Sequence, residues 1–258
     1  MRVAVLGANG FLGKFITGQL TEKSYDVYPV TRKDVDLTNF FAVTQWLEDV
    51  EPYAIINCAT AANISIDTCS YSDIQNNLNI FLNFYNNGAN FAKFINVGSG
   101  AEFDRRTNIN NVKESEVLLA HPVDSYGYSK NLMSRLSMQH DKFYTLRLFG
   151  CFHPTEPAFR LFNQVAKGNN IKVIDRQFDY FSARDFIVVL EHYLNNNEYF
   201  KDVNCVYEEK LYLSQVLNKI RPIEITGTSE LNYTGNGHAL AGLNLSLLGL
   251  EESIKEYK

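Results

Sequence analysis

The segment that most restricts this chain begins at its third residue. A short apolar run, Val3–Leu6, leads directly into Gly7, Ala8, Asn9, Gly10, Phe11, Leu12 and Gly13, and then into a helix-length stretch. Glycines at this spacing let the backbone turn sharply and approach a bound group with no Cβ in the way. The helix that follows offers unpaired N–H groups and a partial positive charge at its start. Strand, glycine turn and helix in this order predict a pyrophosphate site at the first crossover of a parallel sheet. Gly7, Asn9, Gly10, Phe11, Leu12 and Gly13 would surround it. Further along the same helix, Phe11, Leu12, Phe15, Ile16 and Leu20 share one stripe, which is a core face.

The rest of the first half continues the rhythm. Val27–Val30, Ala54–Cys58, Phe94–Val97 and Thr145–Phe149 read as strands, with helices near 11–22, 38–50, 71–87 and 125–141. The strands are continuous apolar runs rather than alternating ones, as expected when both faces of a sheet are covered. The fold class is therefore α/β, a Rossmann-like doubly wound parallel sheet with a small C-terminal substrate-binding lobe. Residues 1–150 form the dinucleotide-binding domain in this reading. Residues 151–258 form a reduced lobe with elements returning to that domain. Its helices are expected near 157–167, 184–195, 211–220 and 250–257, with strands near 171–174, 203–207 and 222–226.

Charge and cysteine usage exclude several function classes. The formal net charge is −5, and no basic run exceeds a pair such as Arg105–Arg106. A nucleic-acid surface would instead need a clustered positive footprint. Glycines close behind the first strand interrupt any signal-peptide core. The uncharged stretch 231–250 carries too many glycines and asparagines for hydrocarbon and reads as a loop and helix. Cys58, Cys69, Cys151 and Cys205 show neither a CxxC pair nor metal-ligand spacing, so no metal is expected. A cytoplasmic protein with reduced thiols is the expectation.

Chemistry enters at Tyr126 and Lys130, the chain's only tyrosine–lysine pair at this spacing. Residues four apart share a helix face. A lysine ammonium there would lower the phenol's pKa and make Tyr126 an acid/base near neutral pH. Ser99 follows the strand Phe94–Val97, where its hydroxyl could hold an oxygen that gains charge during hydride transfer. Ser99 alone would equally serve as a turn or helix cap. At the tip of the second strand, Arg32 and Lys33 suit the 2′-phosphate of NADP. Asp34 and Asp36 keep NAD open as the alternative.

These residues resemble the extended short-chain dehydrogenase/reductase family, the branch of NAD(P)-dependent sugar-nucleotide epimerases, dehydratases and reductases. The resemblance rests on GANGFLG at 7–13, VDLTN at 35–39, INCATA at 56–61, NVGSGAEFD at 96–104, ESEVLLAHPVDSYGYSK at 114–130, RLFGCFHP at 147–154 and GLNLSLLGLEESIKEY at 242–257. It implies a catalytic trio of Ser99, Tyr126 and Lys130, with Tyr126 and Lys130 also touching the cofactor. Asp36 and Leu37 would reach the adenine end, Ala59 and Thr60 would line the cofactor, and Phe149 would sit against the nicotinamide.

Departures from the family pattern narrow the chemistry. Its 4,6-dehydratases carry Asp-Glu directly after the catalytic hydroxyl residue, whereas Gly100 and Ala101 stand here, with Glu102 one step late. Its GDP-fucose synthases place a cysteine where Ala101 stands. An NADP-dependent reductase of a nucleotide-linked 4-keto-6-deoxysugar is the leading expectation. An NAD-dependent 4-epimerase is the alternative, and a non-catalytic dinucleotide-binding regulator a second. Gly100, His153, Arg160 and Arg184 are candidates for the nucleotide-sugar substrate, as is Arg176, because arginine suits diphosphate recognition. Members of the branch often form homodimers, so one is a possible partner here.

Overall fold

The computed structural model describes residues 1–61, 67, 69–198 and 200–257. In chain order the strands are β1 (Arg2–Leu6), β2 (Asp26–Val30), β3 (Ala54–Asn57), β4 (Lys93–Ser99), β5 (Ile109–Val112), β6 (Phe143–Leu148), β7 (Cys151–Phe152), β8 (Lys172–Asp175), β9 (Phe181–Ser182), β10 (Asp202–Cys205), β11 (Glu224–Thr228) and β12 (Tyr233–Gly235). The helices are α1 (Phe11–Glu22), α2 (Phe40–Val50), α3 (Tyr71–Tyr85), α4 (Ser125–Ser137), α5 (Leu161–Ala166), α6 (Ala183–Asn195), α7 (Leu213–Leu217), α8 (His238–Ala241) and α9 (Gly249–Ile254).

Six strands build one parallel sheet in the order β10-β6-β4-β3-β1-β2. Apolar side chains leave each strand alternately to its two faces, because successive Cβ atoms point opposite ways. Val3, Val5, Ile56 and Ile95 meet Ile16 and Leu20 of α1 and Phe186 and Leu190 of α6. Ala4, Leu6, Ile55 and Phe94 meet Trp46 of α2, Phe81 and Phe84 of α3 and Met133 of α4. The doubly wound sheet expected from the sequence is therefore the observed one. Pro29 fits its place: it lies in β2, an edge strand, where a missing N–H does least harm.

The chain leaves β1 toward β2 on one side and places β3 on the other, so the winding reverses beside β1. A crevice opens at the C-terminal ends of the strands at such a point. Residues beyond 150 serve both sheet and crevice. α6 and β10 complete the central layers, while Phe152, Phe162, Val173 and Leu217 gather a separate small core. Three further parallel pairs, β5–β12, β7–β9 and β8–β11, lie outside this sheet.

The structure trims several expected elements. The helix expected from 38 starts at Phe40, because the Asn39 side chain accepts from the Ala42 N–H and caps it. The helices expected to reach 87 and 141 end at Tyr85 and Ser137. The 231–250 stretch, read as loop and helix, opens instead with a strand, β12.

Candidate active site

The glycine turn forms one end of the crevice. Gly7 has φ +75°, a left-handed conformation, and a Cβ on it would lie 2.9 Å from the Ala59 nitrogen. A Cβ on Gly13 would come within 2.3 Å of the Gly7 carbonyl oxygen. α2, α3, α4 and α6 are capped by side chains of Asn39, Ser70, Asp124 and Ser182, whereas no side chain caps α1 at Gly10. Its first turn also lacks acidic residues. The N–H groups at this helix start thus remain available to an anion, and the tight packing of Gly7 against Ala59 and of Gly13 against Gly7 keeps the backbone clear above them. These residues fit a dinucleotide pyrophosphate.

Phe11 and Leu12 have mixed duties. Both pack against the core, while Leu12 also lines the crevice and Phe11 lies 5.2 Å beneath the Arg160 guanidinium. Asn9 is exposed on the turn itself. At the β2 tip the Thr31 N–H and hydroxyl both donate to Asp34 at 2.7 Å. Thr38 does the same for Asp36, at 3.0 and 2.7 Å. These bonds hold both carboxyls below the usual range. Arg32 and Lys33 stand exposed beside them, and Leu37 packs against the second core face.

The other end of the crevice is assembled from distant segments. Its cavity, about 530 Å³, is lined by Ser99 at the end of β4, Tyr126 and Lys130 on α4, Thr60 after β3 and Phe149 after β6. Arg105, Arg160 and Arg176 add positive charge, and Phe178 and Tyr233 supply an aromatic wall. The Asp124 side chain accepts from the Gly127 N–H and caps α4, and Arg105 pairs with the same carboxylate at 2.8 Å. Tyr126 follows within that first turn, so cap and ion pair together aim it. Ser99 and Tyr126 line the same cavity.

Lys130 corrects one expectation. Its Nζ donates to the Val97 carbonyl at 2.8 Å and lies 6.0 Å from the Tyr126 ring centre. Burial pushes the phenol of Tyr126 above its ordinary value, opposed by Ser99 and Arg105 rather than by Lys130. Burial also makes Lys130 less basic than usual. Cys58 and Cys151 line the same cavity, and burial pushes both thiols up to about 12, so neither is a ready nucleophile.

A family model described as the NAD dependent epimerase/dehydratase family matches residues 3–205. The chain belongs to that family. It is accordingly an enzyme of the nicotinamide-dependent oxidoreductase and epimerase class. No curated protein matches the sequence. Among solved structures, a GDP-L-fucose synthetase from Naegleria fowleri bound to NADP superposes with TM-score 0.80 at 16% identity, covering 99% of this chain and 92% of that one. A dTDP-4-dehydrorhamnose reductase from Clostridium acetobutylicum gives 0.79 at 22% identity, with 100% and 98% covered. The GDP-mannoheptose C4 reductase of Campylobacter jejuni with NADP bound gives 0.76 at 16%, with 99% and 96% covered.

Within this epimerase/dehydratase member, Glu102 is turned away from the crevice. Its carboxylate accepts the Ser99 N–H at 2.7 Å, Ser134 at 2.6 Å and the Arg147 Nε at 2.6 Å. Arg147 is fully buried and also donates to Asp202 and Asn204, each at 2.8 Å. Burial works against the Arg147 charge, but Asp202 and Glu102 more than offset it. Ser99 is thus a cap as well as a cleft residue: its hydroxyl accepts from the Ala101 N–H, and Glu102 answers from the far side.

Two of the expected substrate contacts lie elsewhere. His153 and Arg184 both pair with Glu256 and are absent from the cavity lining. The C-terminal segment folds back onto them, a contact that local sequence does not reveal. Gly100 lies beneath the lining: a Cβ there would meet Phe149 at 2.4 Å and Tyr233 at 2.8 Å. Ala59 presses on Gly7, and Thr60 donates to Asn77 at 3.2 Å. Tyr233 and Arg105 were not anticipated as cleft residues. Among the described residues no cluster could hold a metal ion, and no helix is long and apolar enough to cross a membrane.

Proposed function

We propose that this enzyme is an NADP-dependent reductase of a nucleotide-linked 4-keto-6-deoxysugar. One observation supports it above the others: Tyr126 and Ser99 line one cavity while Glu102, the carboxylate nearest Ser99 in sequence, is committed to Arg147 and Ser134. Elimination of water needs a second acid/base beside the phenol, and position 101 is a buried alanine. What this geometry supports is proton donation to a single carbonyl oxygen. A nicotinamide cofactor, its pyrophosphate held at the glycine turn, would supply the hydride. Tyr126 gives the proton, Ser99 orients the oxygen, and Lys130 places positive charge behind the phenol and within reach of the cofactor ribose.

Arg105 and residues from 151 onward supply the substrate side in this proposal. Arg105, Arg160 and Arg176 face the cavity and suit a diphosphate. Arg32 and Lys33 suit a 2′-phosphate, whereas the neighbouring carboxylates are engaged by threonines. The three superposed enzymes named above act, by their names, on GDP- or dTDP-linked sugars, and two hold NADP. The test is to denature purified protein, identify any released nucleotide by mass spectrometry, and follow NADPH and NADH oxidation with nucleoside-diphosphate 4-keto-6-deoxysugars. NADPH-selective oxidation is the expected result. Stoichiometric NAD released from the protein, with no net oxidation, would point instead to a 4-epimerase.

A further inference from the structure

The carboxylate of Glu102 is fully buried, three residues beyond Ser99. Taking such a charge out of water is costly, and apolar side chains of matching volume often fill a site like this with no loss of stability. The partners of Glu102 show what the charge does instead. One oxygen, Oε1, accepts the Ser99 N–H at 2.7 Å. The other, Oε2, accepts the Ser134 hydroxyl and the Arg147 Nε, each at 2.6 Å. The backbone carbonyl of Glu102 accepts from the Asn131 side chain at 2.9 Å. Asn131 and Ser134 both belong to α4, and Asn131 is the residue after Lys130.

Glu102 is thus a joint between the two elements that carry the proposed chemistry. Through Oε1 it holds the end of β4, where Ser99 stands. Through Oε2 and its own carbonyl it holds α4, which carries Tyr126 and Lys130. The joint is closely fitted. A Cβ on Gly98 would lie 2.8 Å from Oε1 and 2.7 Å from the Thr145 Cγ2, so glycine leaves the room that the carboxylate needs against the strand. Arg147 fixes the carboxylate in turn: it donates to Asp202 and Asn204, and its guanidinium lies 4.9 Å from the Phe103 ring centre. The Ser99 hydroxyl accepts from the Ala101 N–H at 3.2 Å, within the same turn, and therefore moves with that turn.

We propose that Glu102 is a positioning residue that ties the Ser99 turn to α4 and thereby sets where the Ser99 hydroxyl stands relative to Tyr126 and Lys130. This rests on Ser99, Tyr126 and Lys130 acting as proposed above. The side chain of Glu102 acts only through Ser99, since it points into the interior. Its two holds can be cut to different depths. Ser134→Ala removes one bond to α4 and leaves the Ser99 N–H and Arg147 bonded to Glu102. Glu102→Met removes all three side-chain bonds with little change in volume, and leaves Asp202 to balance Arg147.

The test joins crystal structures of the NADPH-bound variants to a double-mutant cycle in kcat. In Glu102→Met the Ser99 oxygen should stand about 1 Å from its native place relative to Tyr126, and kcat with NADPH and 4-keto sugar should fall about 10²-fold, the effect of such a misplacement. Ser134→Ala should move Ser99 the same way with a smaller loss. NADPH affinity should hold in both. Neither substitution should lower turnover further in a Ser99→Ala background, where no hydroxyl is left to place. A merely structural role would lower it equally in both backgrounds. Ser99 unmoved in both variants, or equal losses with and without its hydroxyl, would overturn the proposal. If Glu102→Met does not fold, Ser134→Ala, which keeps the buried charges paired, decides in the same way. The crystal readout needs no substrate and separates this proposal from the reading beneath it. If Ser99→Ala turns over as fast as the native enzyme, the catalytic reading fails. If Ser99→Ala is slow and Ser99 stays in place in both variants, only the positioning role fails.

Discussion

The two ends of the crevice solve the same problem by opposite means. The end proposed to hold phosphate is one continuous segment, Gly7–Gly13, which offers backbone N–H groups and clearance. The catalytic end draws side chains from β4, α4, the loop after β6 and β12, and holds them with buried hydrogen bonds. The first is local and is harmed mainly by added atoms. The second is long-range and is harmed mainly by lost ones. Substitutions that separate binding from turnover should therefore fall cleanly at one end or the other.

The sharpest break is expected at Tyr126. Tyr126→Phe removes the proposed proton donor, and kcat should fall about 10²–10⁴-fold, the usual contribution of a placed acid. Cofactor affinity should hold, because the glycine turn lies at the other end. Stopped-flow hydride transfer alongside NADPH titration separates the two, and a parallel loss of both would erase the distinction between the ends.

Next comes the buried support of the catalytic end. Arg147→Met leaves Glu102 and Asp202 without their shared cation in a dry interior. Such removal costs about 3–5 kcal/mol of stability, measured by denaturant unfolding. Burial already pushes the Asp202 carboxyl up to about 7 against the pull of Arg147. A raised folded pKa means that the group's contribution is present at low pH and lost as pH rises through that value. With Arg147 gone, the variant should therefore lose most of its stability relative to the native enzyme above neutrality. A deficit that is flat with pH would mean that the network carries little charge.

The phosphate end should break differently. Gly13→Ala places a Cβ 2.3 Å from the Gly7 carbonyl oxygen, inside any real contact distance. Overpacking of this kind costs about 1–3 kcal/mol. It should raise the KM for cofactor while kcat at saturating cofactor stays close to native. A fall in kcat alone would show that the turn also positions the nicotinamide.

The same contrast explains what could be read from the sequence. The glycine turn was legible because its parts are contiguous and its strand-before, helix-after context is visible within twenty residues. Tyr126 and Lys130 were legible because one helical turn separates them, and Ser99 because it ends an apolar strand. Tyr233 gave no such signal: its segment has few charges, reads as loop and helix, and joins Ser99 in the cavity lining across 134 positions of chain. His153 and Arg184 show the reverse case. Both were candidates for a diphosphate, but only the folded chain reveals that Glu256 comes back against both. The role of Lys130 was half legible, since its helix face was evident but its bond to Val97 was not.

The smallest expected effect tests the outer margin of the phosphate end. Arg32 and Lys33 are exposed at the β2 tip, and an exposed ionic contact contributes only about 0–1 kcal/mol. Replacing both with alanine should weaken NADPH binding about two- to fivefold at low salt and leave NADH unchanged. The effect should shrink as salt rises, because these charges are open to screening. The carboxylates beside them make the sign informative. Asp34 and Asp36 are held in their own turns by Thr31 and Thr38, so neither is poised to accept from the ribose hydroxyls of NAD. Adding Thr31→Val would release Asp34 from its hydroxyl bond, and only then should NADH binding improve. If NADH binding improves with the basic pair removed and Thr31 intact, then Asp34 already reaches the ribose, and the enzyme is built for NAD.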